Sequence, residues 1–294
     1  MSGTGTGREV GLRRDVEALS VEIGPRAPFV GDSLDRAEAY IRGRLEDAGL
    51  EVERQAYDFH GREVANLIAT NAAARSASSC WIVGAHYDSV PHSPGADDNA
   101  SAVAVLLAFA GIAASLPIPL RCVAFTMEEP PAFMTGRQGS RVFLRALGEA
   151  RRRIRGAVVL EMVGYTAARQ HYPPVLRWAG YPGRGDFIGI VGDGRSRRFG
   201  RRLLEGFRRN PELPVESLFV PLRGWLLPAT RLSDHASFWD AGIPAVMVTD
   251  TAFFRNPHYH RPSDTIDTLD FGFMARLVTS LRLAFGVLAG DGAP

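Results

Sequence analysis

Cysteine is scarce in this chain: two residues, Cys80 and Cys122, in 294. Two thiols cannot staple a domain of that size, and both fall inside apolar runs that read as buried strands. Reduced core thiols are therefore expected, and a cytoplasmic setting with them. Charge of one sign is scarce too. Lys plus Arg at 34 against Asp plus Glu at 32 leave a net charge of +2 at pH 7, which argues against a nucleic-acid binder. The opening stretch MSGTGTGREVGLRRDVEAL has no apolar run of the about 7 to 15 residues that a secretory leader carries. The one segment that could pass for a membrane span, AVAVLLAFAGIAASLPI at 102–118, has no basic flanks and is slightly short of about 18 to 20 residues. A buried helix is expected there, with no membrane partner. No linker and no internal repeat is visible. With 46% hydrophobic and 22% charged residues, the composition excludes disorder, collagen-like repeats and a disulfide-dense scaffold.

What is present is an alternation of strand and helix patterns. Residues 9–23 and 33–50 space their apolar side chains helically, and Ser33 is placed to cap the second segment. Strands are expected at 51–59, 65–71 and 80–87, the third apolar throughout and so buried on both faces. Then follow a helix at 99–115, a strand at 121–127, a helix at 138–150 and a strand at 156–162. A strand at 187–192, a basic helix at 196–209, a strand at 216–221, a short helix at 234–241, a strand at 244–249 and a helix from 270 complete the chain. The alternation implies parallel crossovers. The fold expected is a single three-layer α/β/α domain over residues 9–294 with a mixed, mostly parallel sheet and an antiparallel N-terminal edge, residues 1–8 forming a flexible tail.

In such sheets chemistry gathers at the carboxyl ends of the strands. His86 and Asp88 stand after the third strand, Glu128 and Glu129 after the fourth, and Glu161 ends the fifth. Buried carboxylates must be paired or bind metal. The loop PGADDNAS at 94–101 can turn at Gly95 and point Asp97 or Asp98 back at His86, while Asn99 caps the following helix. His258 and His260 come from FFRNPHYHRPSDT near the C-terminus. One Asp, two Glu and two His suit a pair of divalent ions, and nitrogen and oxygen donors favour zinc. Asp97 is the natural bridging carboxylate. Of the Glu128–Glu129 doublet one member can coordinate metal while the other faces substrate as general base. Three loops, 130–137, 163–186 and 221–233, are too long and too aromatic to be simple connections, which makes all three candidate pocket walls. Tyr165, Trp225, His235 and Tyr259 are the candidates for substrate contact, with helix capping as the alternative use of Ser233-Asp234-His235.

GAHYDS, GADDNASA, TMEEP, LEMVGY, SDHASFWDAGIPA and YHRPSDT occur in the order and at roughly the separations of the co-catalytic zinc aminopeptidase family. That family includes bacterial secreted leucine aminopeptidases and the glutamate carboxypeptidase II group, and the chain resembles it from about residue 12 to 288. The resemblance implies that His86, Asp97, Glu129, Glu161 and His260 are ligands of two zinc ions, with Asp97 between them. It implies that Glu128 is the general base and that Asp88 accepts the second N–H of the His86 imidazole. His260 is preferred to His258 because it precedes the run Arg261-Pro262-Ser263-Asp264-Thr265. Glu161 departs from the family, where Asp is commoner at that position, so the second zinc is expected to be held weakly. The activity implied is an aminopeptidase acting on peptides or amino-acid amides. The alternatives are a glutaminyl-peptide cyclase, whose relatives share this fold, and a binding module that has lost catalysis. The GDSL tetrapeptide at 31–34 is not read as an esterase site, because Ser33 opens an amphipathic helix rather than following a buried strand.

Overall fold

A computed structural model describes residues 3–290 of the chain. Its elements are α1 (Gly3–Glu17), α2 (Ser33–Asp47), β1 (Glu51–Phe59), β2 (Arg62–Thr70), α3 (Ala72–Arg75), β3 (Cys80–His86), α4 (Ala102–Ala113), β4 (Leu120–Phe125) and α5 (Gly139–Leu147). They continue with β5 (Ile154–Glu161), α6 (Pro174–Trp178), β6 (Ile188–Asp193), α7 (Arg197–Phe207), β7 (Val215–Val220), α8 (His235–Asp240), β8 (Ala245–Thr249) and α9 (Phe271–Gly290). The expected tail is helical from Gly3 onward, and residues 1–2 lie outside the described residues. Arg8 ties this helix down by donating to the Thr279 hydroxyl of α9 at 2.8 Å. Ser33 does not cap α2 as expected. It is the helix's first residue, and its hydroxyl donates to the Val30 carbonyl.

The strands form one sheet in the order β1-β2-β4-β3-β5-β8-β6-β7. β1, β2 and β4 make the antiparallel edge, and β4, β3, β5 and β8 run parallel. The alternation suggested parallel crossovers to the end, yet β6 is antiparallel to β8 while β7 follows β6 in parallel. The segment between β5 and β6 holds no helix longer than α6, so it returns the chain without a crossover helix and lets β8 enter out of order.

Strand parity sorts the core into two layers. Val83, Ala85, Val158, Leu160, Val246 and Val248 face a layer with Val105, Phe109, Leu203, Leu277 and Leu281 from α4, α7 and α9. Ile82, Val123, Val159 and Ala245 face the opposite layer, with Phe143 of α5 and Phe238 and Trp239 of α8. Two stretches, Ala96–Ala113 and Phe271–Gly290, are long and apolar enough to cross a bilayer, and both are mostly buried within the molecule. Cys80 and Cys122 are free, and Cys122 is opposite Val83.

Candidate metal centre

β3 pairs in parallel with both β4 and β5, so three strand ends open side by side. His86 is the last residue of β3, Glu161 the last of β5, and Glu128 and Glu129 follow β4. Met127 and Met162 carry left-handed φ values of 58° and 44°, which turn the chain sharply at these two strand ends. The loop before α4 and the loop before α9 close over the same point, bringing Asp98 and His260.

Two acid–imidazole sets result: His86, Asp98 and Glu161, and Asp98, Glu129 and His260. His86 Nε2 lies 3.4 Å from Glu161 Oε2 and 3.6 Å from Asp98 Oδ1. His260 Nε2 lies 3.1 Å from Glu129 Oε2 and 3.2 Å from Asp98 Oδ2. Glu128 belongs to neither set and holds its carboxylate 3.9 Å from His86 Nε2.

The shared carboxylate is therefore Asp98, where Asp97 was expected. Asp97 is turned away by other bonds: its carboxylate accepts from the Gly164 amide at 2.9 Å and from Asn256 Nδ2 at 2.7 Å. The Asp264 carboxylate accepts the amides of both Asp97 and Asp98, which fixes the loop that presents Asp98. Arg26, wholly buried, donates to the carbonyls of Pro94 and Gly95 at the loop's entry. Gly95 itself needs its left-handed φ of 59°, and a Cβ there would strike the Asp98 carbonyl.

Asp88 also differs from expectation. The acceptor nearest His86 Nδ1 is the Asp88 main-chain carbonyl at 3.1 Å, whereas its carboxylate is 3.6 Å away, beyond a normal hydrogen bond. That carboxylate instead accepts the amides of Glu128 and Glu129, each at 3.0 Å, and so sets the doublet's direction.

Electrostatics show what the centre needs. Burial, with the charge of Asp98, pushes Glu129 up to about 7. Burial raises Glu128 well above the ordinary carboxylate range, with Glu161 and Glu129 adding to it. For His260, burial is outweighed by Asp98 and Glu129, and its pKa rises to about 10. Four buried carboxylates crowd two imidazoles here, an arrangement that calls for added positive charge. His86 Nε2, Asp98 Oδ2 and Glu129 Oε1 are buried without a hydrogen-bond partner among the described residues. Orphaned donor atoms of this kind, with nitrogen and oxygen and no thiolate, fit a divalent ion and favour zinc.

Around the centre, Tyr259 stacks on the His260 ring at 3.9 Å, and Tyr165 meets His258 edge-on at 5.9 Å. Neither His235 nor Trp225 reaches it. His235 is fully buried, bonded through Nε2 to the Thr230 carbonyl and packed edge-on against Trp239, and burial lowers its pKa to about 4. It therefore does not face substrate, and α8 has no side-chain cap. Trp225 lies exposed over the Arg231 guanidinium. A contact not foreseen is Ser233, whose hydroxyl donates to Glu161 Oε2 at 2.6 Å. Its place before α8 had suggested a cap or a substrate contact, not a bond to a metal-centre carboxylate. Asp264 was visible in the sequence, but nothing local revealed its bonds to the Asp97 and Asp98 amides.

The model of Peptidase family M28 matches residues 66–283. The chain is 36% identical over 282 residues to the uncharacterized protein YfbL of Escherichia coli, covering 91% of this chain and 84% of that one. It is 30% identical over 223 residues to a probable leucine aminopeptidase of Trichophyton verrucosum, covering 71% of this chain and 53% of that one. The chain thus spans about half the length of that fungal relative. Among solved structures, a zinc aminopeptidase from Bacillus subtilis superposes with a TM-score of 0.74 at 16% identity, over 94% of each chain. The glutaminyl cyclase of Tannerella forsythia gives a TM-score of 0.68 at 17% identity, over 96% of this chain and 98% of that one. At these identities the likeness is one of fold.

Proposed function

The chain belongs to peptidase family M28, and from that premise we propose that it is a zinc-dependent aminopeptidase removing the first residue of peptides or amino-acid amides. One observation carries the proposal. The Asp98 carboxylate is common to two acid–imidazole sets while Glu128 stands beside them, bound into neither. Two sets sharing one carboxylate suit a pair of ions about 3.5 to 4 Å apart. His86, Asp98, Glu129 and Glu161 are all buried, which favours entry of a chain end over a chain middle.

Bound zinc supplies a Lewis acid for the scissile carbonyl and makes water easier to deprotonate. The remaining work falls to the protein's own side chains. Glu128 takes a proton from the attacking water and delivers it to the departing amine, so a C–O bond forms, the C–N bond breaks and one water is consumed. Its raised proton affinity suits both halves of that transfer. Asp88, gripping the Glu128 and Glu129 amides, keeps base and ligand in fixed relation. Ser233 holds the Glu161 carboxylate in one orientation.

The test is a panel of aminoacyl arylamides and amino-terminal glutaminyl peptides, with and without chelator. Arylamide hydrolysis that chelator abolishes and zinc restores is expected. Ammonia release from glutaminyl peptides, with no arylamide hydrolysed, would replace this reading with a cyclase, the activity named for one of the similar folds.

A further inference from the structure

A cavity of about 990 Å³, counting its open mouth, begins at Glu161 and runs away from the metal centre. Its floor is legible from the sheet register. Glu161 of β5 is opposite Thr249 of β8, Thr249 is opposite Gly189 of β6, and Gly189 is opposite Glu216 of β7. Directly opposed residues share a face, so these four form one row across the sheet, and all four line the cavity. The next row on that face, Met247, Val191 and Leu218, lines it as well. Gly189 leaves the floor open, since a Cβ there would make only ordinary contacts from 3.5 Å outward. The cavity is thus an apolar trough with metal-centre carboxylate at one end and Glu216 at the other.

Glu216 is half-buried and forms no hydrogen bond or ion pair among the described residues. Burial raises its pKa, against the pull of Arg208. Its charge is felt by Tyr172 and Tyr181, which also line the trough, and the Tyr172 hydroxyl is buried with no partner among the described residues. Two polar groups without partners at the far end of an apolar channel mark a place where a ligand's polar tip ends.

We propose that this trough receives the side chain of the residue being removed and that Glu216 selects lysine or arginine there. The inference rests on the aminopeptidase reading above. Three strand spacings of about 4.8 Å separate the Glu161 and Glu216 positions by about 14 Å. An extended lysine side chain covers about 6 Å from Cα to Nζ, from bonds of about 1.5 Å. A charge-assisted hydrogen bond adds about 3 Å. A lysine whose Cα stands about 5 Å along the row from the Glu161 position, beside the metal centre, therefore brings its Nζ within reach of Glu216. Leucine fills the near part of the trough and leaves Glu216 unpaired.

The experiment compares kcat/KM for lysine and norleucine arylamides on zinc-loaded protein, since norleucine is lysine without its amine. Wild type is expected to favour lysine by at least about 10-fold, and Glu216→Gln to reduce that ratio by about 10- to 100-fold, the effect of removing a charged partner. A wild-type ratio at or below one, or a ratio that Glu216→Gln leaves unchanged, overturns the inference. Inhibition of leucine arylamide hydrolysis by lysinol against norleucinol reads the same preference on wild type alone, should the variant fail to fold. If neither arylamide nor leucine arylamide is hydrolysed, the aminopeptidase reading itself falls, and this inference with it.

Discussion

Replacing Asp98 and Asp97 separately by Asn distinguishes the shared carboxylate from its neighbour. Asp98 offers Oδ1 toward His86 and Oδ2 toward His260, at 3.6 and 3.2 Å from their Nε2 atoms. Its neutralisation strips one donor from both sets at once. Loss of an outer group around a metal costs about 10- to 100-fold in affinity, so Asp98→Asn is expected to exceed 100-fold, and at both ions. Asp97→Asn acts only through the loop. An amide in place of the carboxylate sets an NH₂ against the donors of Gly164 or Asn256, at a cost of about 1 to 3 kcal/mol in stability. Its zinc affinity is expected to fall by no more than about 100-fold. In metal-free protein the order reverses: Asp98→Asn removes both the charge that raises Glu129 and the partner that raises His260, two opposed effects that are expected to leave melting nearly unchanged, whereas Asp97→Asn melts lower. Zinc titration against a competing chelator and thermal unfolding of the stripped protein measure both. Retention of zinc by Asp98→Asn, with loss from Asp97→Asn, would refute the assignment.

Glu128→Gln is expected to lower kcat by about 10² to 10⁴ with zinc content unchanged, and Glu129→Gln to lose zinc and activity together; metal analysis beside a rate assay checks both. Ser233→Ala frees Glu161 Oε2, and about a 10- to 100-fold loss of affinity at one ion only is expected by the same titration. His235 has its pKa lowered from 6.5 to about 4, so the unfolded chain binds the extra proton first as pH falls. The stability due to its neutral form is present above pH 6.5 and is lost between 6.5 and 4, by about 3 kcal/mol. Urea unfolding of His235→Phe should lack that acid-sensitive component, and an unchanged dependence of stability on pH would show that His235 is not its source.

The positions of His86, Glu128, Glu129 and Glu161 were legible because each charge interrupts or ends an apolar run that has to be buried, and His260 because it sits in a recognisable motif. The choice between Asp97 and Asp98 was not. Two adjacent acids in one loop are told apart by Gly164 and Asn256, whose places depend on the fold of the whole chain. Asp88 misled for a related reason: its spacing from His86 invited a side-chain bond, but the β4 end passes close enough for the Glu128 and Glu129 amides to claim the carboxylate. His235 was a candidate for substrate contact, yet Trp239 one turn on and the Thr230 carbonyl enclose it. The antiparallel N-terminal edge and the parallel run of β3, β4 and β5 were legible, but not the place of β4 between β2 and β3. Beyond β5, β8 enters beside it and β6 runs against β8, and the row from Glu161 to Glu216 exists only because of that arrangement.

A two-ion centre built on Asp98 is tested by following zinc content against arylamide hydrolysis as stripped protein is dialysed into graded zinc. Saturation at two equivalents per chain is expected, with hydrolysis appearing as zinc is taken up. Saturation at a firm single equivalent, or full hydrolysis by protein still held in chelator, would contradict it.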